Sequence, residues 1–470
     1  MKLINLIKFE IKKILHKKSL YIVTIIFILF AILTNFIYKE NEEIVIGNSS
    51  NISTYDVTGA KENLQNLNPD NDTYMYSYYK SIIDTDEIMR NYPTNNQKYL
   101  IDTHLRGVIE AKNEAFYNGD KAKLAEYEAL YREYLSKIDA NDWEYFTRLK
   151  IAELEETKKL APDEVNKKVT EIMIEIENYR LLNKINYDFN NYLNRALNEI
   201  ANSIAEYLNL KNKGNLTSNE SENYLYYKEK IQMQKYILEN HQDINNDATL
   251  KKVMENFPYE FSLFILIYII MLSGSIVSEE YSKGTIKYLL TKPYKRSMIL
   301  ASKLLAILIM LPLIILLMII LELLVGGIIL GFSSLNIPIV VYDTVKNVVV
   351  SYNVFKYLGL ILLAVLPLYL MIGLICFALS TITASTSAAI TISFLFYLAA
   401  NVINNLAINY NFKFFKYFVS LHWDFSYLVN KTTNTFNIEP LTSGIVLIIY
   451  TTVILCLTFT YFKKKDVKNI

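Results

Sequence analysis

The chain has 470 residues, of which 52% are hydrophobic, and its 48 basic and 47 acidic residues leave a net charge of +1. Its two cysteines, Cys376 and Cys456, both lie in apolar runs, which excludes a disulfide framework or a Cys/His zinc site built on them. The balanced charge gives no reason to expect a nucleic-acid partner.

Six apolar runs are long enough to cross a membrane whose hydrocarbon core is about 30 Å thick. Pro312 and Pro367 lie inside two of these runs, and membrane helices tolerate proline because neighbouring groups satisfy the freed carbonyls. The longest run exceeds one crossing, so we expect it to tilt or its glycine-rich end to leave the bilayer. The runs cover residues 20–38, 259–278, 300–332, 355–381, 387–408 and 441–462.

The first run follows a basic stretch, because residues 1–18 contain six lysines and one glutamate. A cleaved signal peptide also begins with basic residues, but this apolar run is too long and no small-residue cleavage site follows it. We therefore expect a retained anchor. Apolar residues spaced among the lysines at positions 3–15 are typical of a helix lying in the membrane interface. A solvated basic tail is the alternative.

The distribution of basic residues predicts the orientation. The N-terminal tail, the loop 279–298 and the C-terminal tail contain six, five and four Lys or Arg, whereas the loops 333–354 and 409–440 contain one and three. Cytoplasmic loops are enriched in Lys and Arg, so both termini are expected in the cytoplasm and residues 39–257 outside it. The abundance of Asn, Lys, Ile and Tyr is typical of an AT-rich bacterial genome, which favours the bacterial plasma membrane.

Residues 39–257 form a polar block with 27 basic and 38 acidic residues. Apolar residues recur there at three- and four-residue steps, which predicts long helices at about 121–159, 163–210 and 222–240, the first two paired as an antiparallel hairpin. The sequence predicts a helical, partly coiled-coil-like domain inserted between the first two spans. Its acidic surface serves solubility or gathers cationic ligands. No calcium-loop motif is present, and no metal site is expected.

The loop 279–298 is the most informative stretch. Glu279 and Glu280 end the second apolar run, Gly284 and Thr285 open a short amphipathic segment, and Pro293 ends it before a basic cluster. A short helix of this kind, pressed against the cytoplasmic face, can carry motion from a soluble partner into the bilayer. An ordinary basic loop that only fixes topology is the alternative.

The loop resembles the first cytoplasmic loop of ABC-2-type transporter permeases. That resemblance implies a coupling helix that docks on a separate ATPase, six spans, cytoplasmic termini and an N-terminal interfacial helix. It covers residues 1–38 and 258–470 and says little about residues 39–257. The matching positions are Glu280, Gly284, Thr285, Leu289, Leu290, Thr291, Pro293, Arg296, Ile299 and Lys303.

The sequence contains no motif for nucleotide binding or for catalysis. It contains no G-x-x-x-x-G-K-[ST] phosphate loop, so ATP and magnesium are expected on a partner ATPase rather than on this chain. It contains no metalloprotease, nucleophile-elbow or kinase motif, and we expect no catalytic residues. Three functions are considered: a transporter permease, a sensor or scaffold with a ligand-binding acidic domain, and a membrane-embedded enzyme. Six spans exceed what an anchor needs, and missing catalytic clusters count against an enzyme.

Polar residues inside spans are candidates for a translocation pathway. Glu322 lies late in the third span and lines a polar pathway or contacts a cationic substrate, or else lies at the outer water boundary if the span ends before Gly326. Asn401, Asn404 and Asn405 in the fifth span are expected to hydrogen-bond across helices. Residues 412–428 resemble the re-entrant helices of ABC-2 permeases or form an aromatic belt.

The sequence thus predicts an all-α membrane protein with six transmembrane helices. We expect it to be the permease of an ATP-driven ABC exporter, with an ABC ATPase, a second permease copy or paralogue, and the lipid bilayer as partners. Drug, antimicrobial peptide, lipid and ion export all agree with the family. The coupling residues are expected to be Glu279, Glu280, Gly284, Thr285, Leu289, Leu290, Pro293 and Arg296.

Overall fold

The structure, a computed structural model, describes residues 2–48, 56–90, 97–188, 190–290, 294–410, 413–432, 436 and 438–465. It divides into two compact units: Met1–Asn41 with Ile244–Ile470, called the membrane unit, and Glu42–Asp243, called the helical unit. The helices are α1 (Lys2–Leu15), α2 (Lys18–Asn48), α3 (Val57–Gln65), α4 (Thr73–Met89), α5 (Gln97–Tyr117), α6 (Lys121–Asp139), α7 (Trp143–Lys159), α8 (Glu164–Leu182), α9 (Tyr192–Asn212), α10 (Ser218–Asn240), α11 (Leu250–Glu260), α12 (Ser262–Ser275), α13 (Ser278–Ser282), α14 (Ile286–Leu290), α15 (Arg296–Leu330), α16 (Val354–Thr383), α17 (Thr386–Asn409), α18 (Ser426–Asn430) and α19 (Pro440–Lys464), and the strands are β1 (Ile339–Asp343) and β2 (Val348–Tyr352).

Within the described residues, α2, α15, α16, α17 and α19 are each long and apolar enough to cross a membrane. The pair α11 and α12, bent by 42°, is a sixth candidate span. The break lies at Phe261, three residues after Pro258, which is inside α11. The prediction of an all-α membrane protein is therefore confirmed, and the second predicted run lies in the bent pair.

Helix α12 lies at the centre of the membrane unit, packed against α15, α16 and α17. Two glycines permit these close approaches. A Cβ at Gly274 would lie 2.7 Å from Ile390 Cγ1, and a Cβ at Gly373 would lie 2.8 Å from Ile269 Cγ1. Small residues at helix contacts let membrane helices pack by van der Waals attraction, which replaces the hydrophobic effect inside lipid.

The long run at 300–332 is one helix, α15, of 35 residues, which continues through Pro312. At about 1.5 Å per residue it extends for about 50 Å, well beyond one hydrocarbon core. It ends at Gly331, whose φ of 81° lies in a region that favours glycine. Helix α16 likewise continues through Pro367.

A small antiparallel hairpin of β1 and β2 follows α15, with Ile339 opposite Tyr352. From the sequence, residues 333–354 were expected to form a loop. Its turn is fixed by Asp343, whose Oδ1 accepts hydrogen bonds from the N–H groups of Val345 at 3.1 Å and Lys346 at 2.8 Å. The β-branched residues on both sides of that turn are the signal for a hairpin.

The helical unit contains shorter helices than predicted. The prediction of continuous helices at 121–159 and 163–210 is wrong, because the helical conformation is interrupted at Asn141 and at Lys184, each with a φ of 53°. The predicted start at Asp163 is confirmed, since its Oδ1 accepts from Asn166 N at 2.8 Å. The pairing of the two predicted segments survives in the contact between α7 and α8.

A buried polar network fixes α8 in the helical unit. Arg180 is fully buried and donates to Glu177 Oε2 at 2.9 Å and to Asn194 Oδ1 at 2.7 Å. Its guanidinium also lies 3.9 Å from the centre of the Tyr187 ring. Lys150 on α7 lies 2.5 Å from Glu177 Oε1, so the network joins α7, α8 and α9. A buried charge persists only when it is paired in this way.

Candidate functional site

The loop that the sequence singles out is firmly attached where it begins. The N–H of Ser278 donates to Ser380 Oγ at 3.0 Å, and Ser278 Oγ lies 2.7 Å from Thr386 Oγ1. Ser380 Oγ in turn donates to Gly274 O at 2.8 Å. These hydrogen bonds hold the start of α13 against α16 and α17, so α13 is positioned by the central helices of the membrane unit.

A buried ion cluster joins α13 to α1 and α15. It consists of Glu10, Lys13, Glu280 and Lys303. Lys303 is fully buried, and its Nζ donates to Glu280 Oε1 at 2.7 Å and to Glu10 Oε1 at 2.8 Å. Lys13 Nζ donates to the same Glu280 oxygen at 2.8 Å. Two ammonium groups thus balance two carboxylates, and α1 becomes part of the loop's support.

The electrostatics of the ion cluster favour the charged forms. Burial alone would raise the pKa of Glu280, but Lys303 and Lys13 hold that pKa below its usual range. Burial would lower the pKa of Lys13, but Glu280 raises it above its usual value. Removing one partner of a buried ion pair leaves an uncompensated charge, which costs about 3–5 kcal/mol. The cluster is therefore stable only as a complete set.

A second bridge lies beside the ion cluster. Lys17 Nζ donates to Ser275 Oγ at 2.5 Å and to Glu279 Oε1 at 3.1 Å. Burial lowers the pKa of Lys17, and the attraction of Glu279 offsets only part of that effect. Glu279 is also 3.8 Å from Lys283. The N-terminal helix and the residue that leads into α2 are thus bound to both acidic residues of the loop.

The amphipathic segment expected at residues 285–290 is present as α14. Gly284, with a φ of 69°, makes the turn between α13 and α14. Ile286 is fully buried, whereas Lys287 and Tyr288 are exposed, Tyr288 at 77%. Thr285 Oγ1 donates to Glu280 O at 3.4 Å. One side of α14 is therefore anchored, and the other faces away from the protein.

Three predicted coupling residues have no described side chain. Leu289 and Leu290 are the last two residues of α14, and the described part of the structure does not include their side chains. Pro293 lies outside the described residues. The coupling role of these three residues, which rests on the family motif, therefore stays a prediction.

Arg296 is bound to the end of α19. Its Nη1 donates to Lys463 O at 3.2 Å and to Lys465 O at 2.9 Å. Lys465 Nζ donates to Thr381 O at 3.1 Å and lies 4.4 Å from the centre of the Tyr281 ring. Burial raises the pKa of Tyr281 to about 12, so this residue stays neutral. Arg296 thus holds the C-terminal segment beside the loop.

Glu322 lies far from the loop, in the second half of α15. It is fully buried, and Asn35 Nδ2 on α2 donates to its Oε1 at 2.5 Å. A Cβ at Gly326 would lie 2.7 Å from Asn35 Oδ1, so the glycine makes room for this contact. Helix α15 continues past Gly326 to Leu330, and Glu322 is buried within the membrane unit. A role of Glu322 in a translocation pathway stays a prediction.

The three asparagines of α17 differ in their surroundings. Asn404 Nδ2 donates to Ser420 O at 3.2 Å, and its Oδ1 accepts from the Ser420 hydroxyl. Asn401 and Asn405 are exposed. The structure therefore brings Asn404 into a contact within the protein and leaves the other two on the outer face of α17.

The segment after α17 is folded back into the membrane unit. It consists of the 3-10 helices Lys413–Tyr417 and Val419–Leu421 and the short α18. His422 and Trp423 are buried, and His422 Nδ1 lies 3.0 Å from Ser443 Oγ on α19. These contacts favour a structural role for the segment over a simple aromatic belt.

Sequence reasoning missed four residues of these contacts: Glu10, Lys13, Lys17 and Asn35. Glu10 is the only acidic residue among six lysines in residues 1–18, and Asn35 is a lone amide in an apolar run. Each exception was a usable signal, because a polar group in an apolar or oppositely charged stretch needs a partner. Lys303 was noted only as a motif position.

Comparisons with known proteins found two similarities. A family model described as ABC-2 family transporter protein matches residues 4–467. An uncharacterized protein of Bacillus subtilis (strain 168), YhcI, is 27% identical over 246 residues, which cover 52% of this chain and 77% of that protein. No solved structure matches the chain.

Proposed function

Since the chain belongs to the ABC-2 family of transporter proteins and is thus a membrane permease subunit of an ABC transporter, we propose that it couples ATP hydrolysis on a separate ATPase to export of a substrate. The observation that carries this proposal is the ion cluster of Glu10, Lys13, Glu280 and Lys303. It connects the loop to a long membrane helix, so a movement of the loop is transmitted to α15.

The exposed side of α14 is the proposed ATPase contact. Lys287 and Tyr288 face outward there, while Ile286 anchors the helix from beneath. The buried Glu280 cannot offer its carboxylate to a partner without leaving the ion cluster, so its role is to position α14. The same reasoning assigns Arg296 a positioning role through the end of α19.

The proposed orientation in the membrane rests on the basic residues at the end of the membrane unit that contains the ion cluster. The basic residues of α1, of the loop and of the C-terminal segment lie together around the ion cluster, which favours a cytoplasmic location for this end and for both termini. Residues 39–257 are then extracytoplasmic. A second permease copy or a paralogue completes the transporter, and ATP with magnesium binds to the ATPase.

The test is co-purification of the full chain with its cognate ABC ATPase, followed by measurement of ATP hydrolysis. Lys287→Glu reverses one exposed charge on α14 and is expected to weaken the complex at least fivefold. Lys464→Glu makes the same charge change on an exposed residue near the same end, and it should leave the complex unchanged. Equal weakening of the complex by both variants, or no weakening by either, would contradict the assignment of α14 as the contact.

The orientation is checked separately by labelling single cysteines in intact cells, in a background without Cys376 and Cys456. Lys464→Cys should resist a membrane-impermeant reagent, and Asp70→Cys in the helical unit should react with it. The opposite pattern would reverse the proposed orientation without affecting the ATPase test.

A further inference from the structure

A cleft of about 510 Å³ lies in the membrane unit between α2 and the segment that leads into α12. Tyr38 at this cleft lies 20 residues along α2 from the first residue of the helix, Lys18, a rise of about 30 Å. The cleft and the ion cluster therefore lie at opposite ends of the span. The lining residues are Phe30, Thr34, Ile37, Tyr38, Asp247, Lys252, Asn256 and Glu260.

One wall of the cleft is mostly apolar. Phe30, Thr34 and Ile37 follow one another at four- and three-residue steps, so they lie on one face of α2. From Phe30 to Tyr38 the helix rises by about 12 Å. That length accommodates an aromatic group or a short hydrocarbon chain. The volume lies within the range of about 300–1,000 Å³ that is typical of small-molecule sites.

The other end of the cleft is polar and centres on Glu260. The hydroxyl of Tyr38 donates to Glu260 Oε1, and Asn256 Nδ2 donates to the Tyr38 oxygen at 2.8 Å. Glu260 Oε2 has no hydrogen-bond partner among the residues that the structure describes. The carboxylate is thus held in place by one oxygen, while the other lacks a donor.

The charges around Glu260 favour a cation. Lys252 lies 3.7 Å from Asp247 and 3.6 Å from Glu255, so two carboxylates already offset its charge. Among the residues that line the cleft, Asp247 and Glu260 are acidic and Lys252 is basic. Since Lys252 is close to Asp247, the remaining negative charge is that of Glu260. An anionic ligand would meet repulsion here, and a neutral one would leave the carboxylate unpaired.

We propose that this cleft binds an amphiphilic organic cation, with its charged nitrogen at Glu260 and its apolar part along Phe30 and Ile37. The rings of Phe30 and Tyr38 add a surface that attracts a desolvated cation. The inference rests on the proposed export function and deepens it, because it assigns the substrate class. An inorganic cation would make no favourable contact with the apolar wall, whereas the apolar part of an organic cation would pack against it.

The experiment measures binding of rhodamine 6G, an amphiphilic organic cation, to the purified full chain in maltoside micelles by fluorescence anisotropy. Glu260→Gln is expected to weaken binding about tenfold, since it removes the surplus charge and preserves the shape. Tyr38→Phe removes the donor to Glu260 and the acceptor of Asn256 but keeps the Glu260 charge and the aromatic ring, so it should retain binding. Glu439→Gln, an exposed residue at the start of α19, is the matched control and should bind like the wild type.

Two further arms decide between explanations. Glu260→Asp keeps the charge, so restored binding shows that loss in Glu260→Gln is not misfolding. A lipid headgroup has the same ammonium chemistry, and it is tested by repeating the titration in nanodiscs of phosphatidylethanolamine. Weaker wild-type binding there, with Glu260→Gln unchanged between the two media, would show that lipid occupies the cleft and would overturn the proposal.

Equal binding by wild type and Glu260→Gln in micelles would also overturn it. Neither outcome changes the result for the ATPase complex, because co-purification is measured without rhodamine 6G. Conversely, loss of the ATPase complex would reject the export function while leaving the binding result intact. The two failures are therefore distinguishable.

Discussion

Glu10 Oε1 lies 2.8 Å from Lys303 Nζ, although 293 positions separate the two residues in the chain. Lys303 binds Glu280 at the same time, so α1, α13 and α15 share one ammonium group. A helix that only rested in the membrane interface would need no buried carboxylate. Its inward-facing Glu10 makes α1 part of the mechanical connection between the loop and the spans.

The first prediction concerns Lys303. Its replacement by Met is expected to destabilise the membrane unit by about 3–5 kcal/mol, because Glu10 and Glu280 are then left buried without their shared cation. The midpoint of thermal unfolding of the purified chain measures this effect. Lys8→Met removes an exposed lysine from α1 and is the control, with little expected change.

Adding Glu10→Gln to Lys303→Met should recover part of the lost stability, since one of the two unpaired carboxylates disappears. Purely additive effects of the two changes would show that Glu10 and Lys303 do not interact. ATP hydrolysis by the complex, measured on the same variants, then reports whether the ion cluster also serves coupling.

The second prediction concerns the turn at Gly284. Its φ of 69° is costly for a residue with a Cβ, and Gly284→Ala is expected to cost about 1–2 kcal/mol. Gly284→Asn should cost less, because asparagine tolerates this region. Beyond its chain neighbours, no described residue lies within 4 Å of the added Cβ, so any effect is expected to come from the backbone.

The measurement for Gly284 is ATP hydrolysis by the complex together with thermal unfolding. Gly444→Ala, in α19 and equally free of close neighbours, is the control and should be neutral or slightly stabilising. An alanine at 284 that behaves like the alanine at 444 would mean that the turn is not required.

The sequence contained enough to find the spans and the loop. Apolar length decides whether a helix can cross a membrane, and that is a local property, so the runs around Pro312 and Pro367 were found despite the prolines. Gly284 and Thr285 marked the loop in the same local way. The breaks at Asn141 and Lys184 were missed because both residues lie in otherwise favourable helical patterns.

The contacts within the candidate site could not be predicted in the same way. The pairing of Glu10 with Lys303 depends on how α1 packs against α15, which no local pattern specifies. Glu280 was expected among the coupling residues because it matches the motif of the ABC-2 permease loop. Its burial reflects the tertiary arrangement that brings Lys13 and Lys303 to it.

The third prediction concerns the contact between Asn35 and Glu322. Gly326→Ala is expected to separate α2 from α15, because the new Cβ would lie 2.7 Å from Asn35 Oδ1 and 2.6 Å from Leu250 Cδ1. Overpacking of this kind typically costs about 1–3 kcal/mol. Thermal unfolding measures the loss, and Gly359→Ala in α16, with open space around its Cβ, is the control.

A companion substitution separates packing from polarity at this position. Glu322→Gln keeps an acceptor for Asn35 and should retain stability, whereas Glu322→Leu leaves the buried amide without its partner. If both variants unfold like the wild type, the hydrogen bond contributes nothing and Glu322 is free to serve a pathway alone.

The last prediction concerns pH and the helical unit. Burial would raise the pKa of Glu177, but Lys150 and Arg180 hold it below its usual 4.5. The carboxylate therefore contributes stability that is fully present above pH 4.5 and is lost as the pH falls through the folded-state pKa. Glu177→Gln should destabilise the unit by on the order of 3 kcal/mol at pH 7, because it leaves Arg180 buried without a counter-charge.

The difference in the free energy of unfolding between wild type and Glu177→Gln should stay constant from pH 8 to about 5. It should shrink below about 4.5, where the carboxylate begins to protonate in the unfolded wild type. Trp143, whose ring lies 6.4 Å from that of Tyr187, reports unfolding by fluorescence in a Trp423→Phe background. Glu126→Gln, on an exposed position of α6, is the matched control and should show no such pH dependence. A difference that persists unchanged into acid would mean that the charge of Glu177 is not what stabilises Arg180.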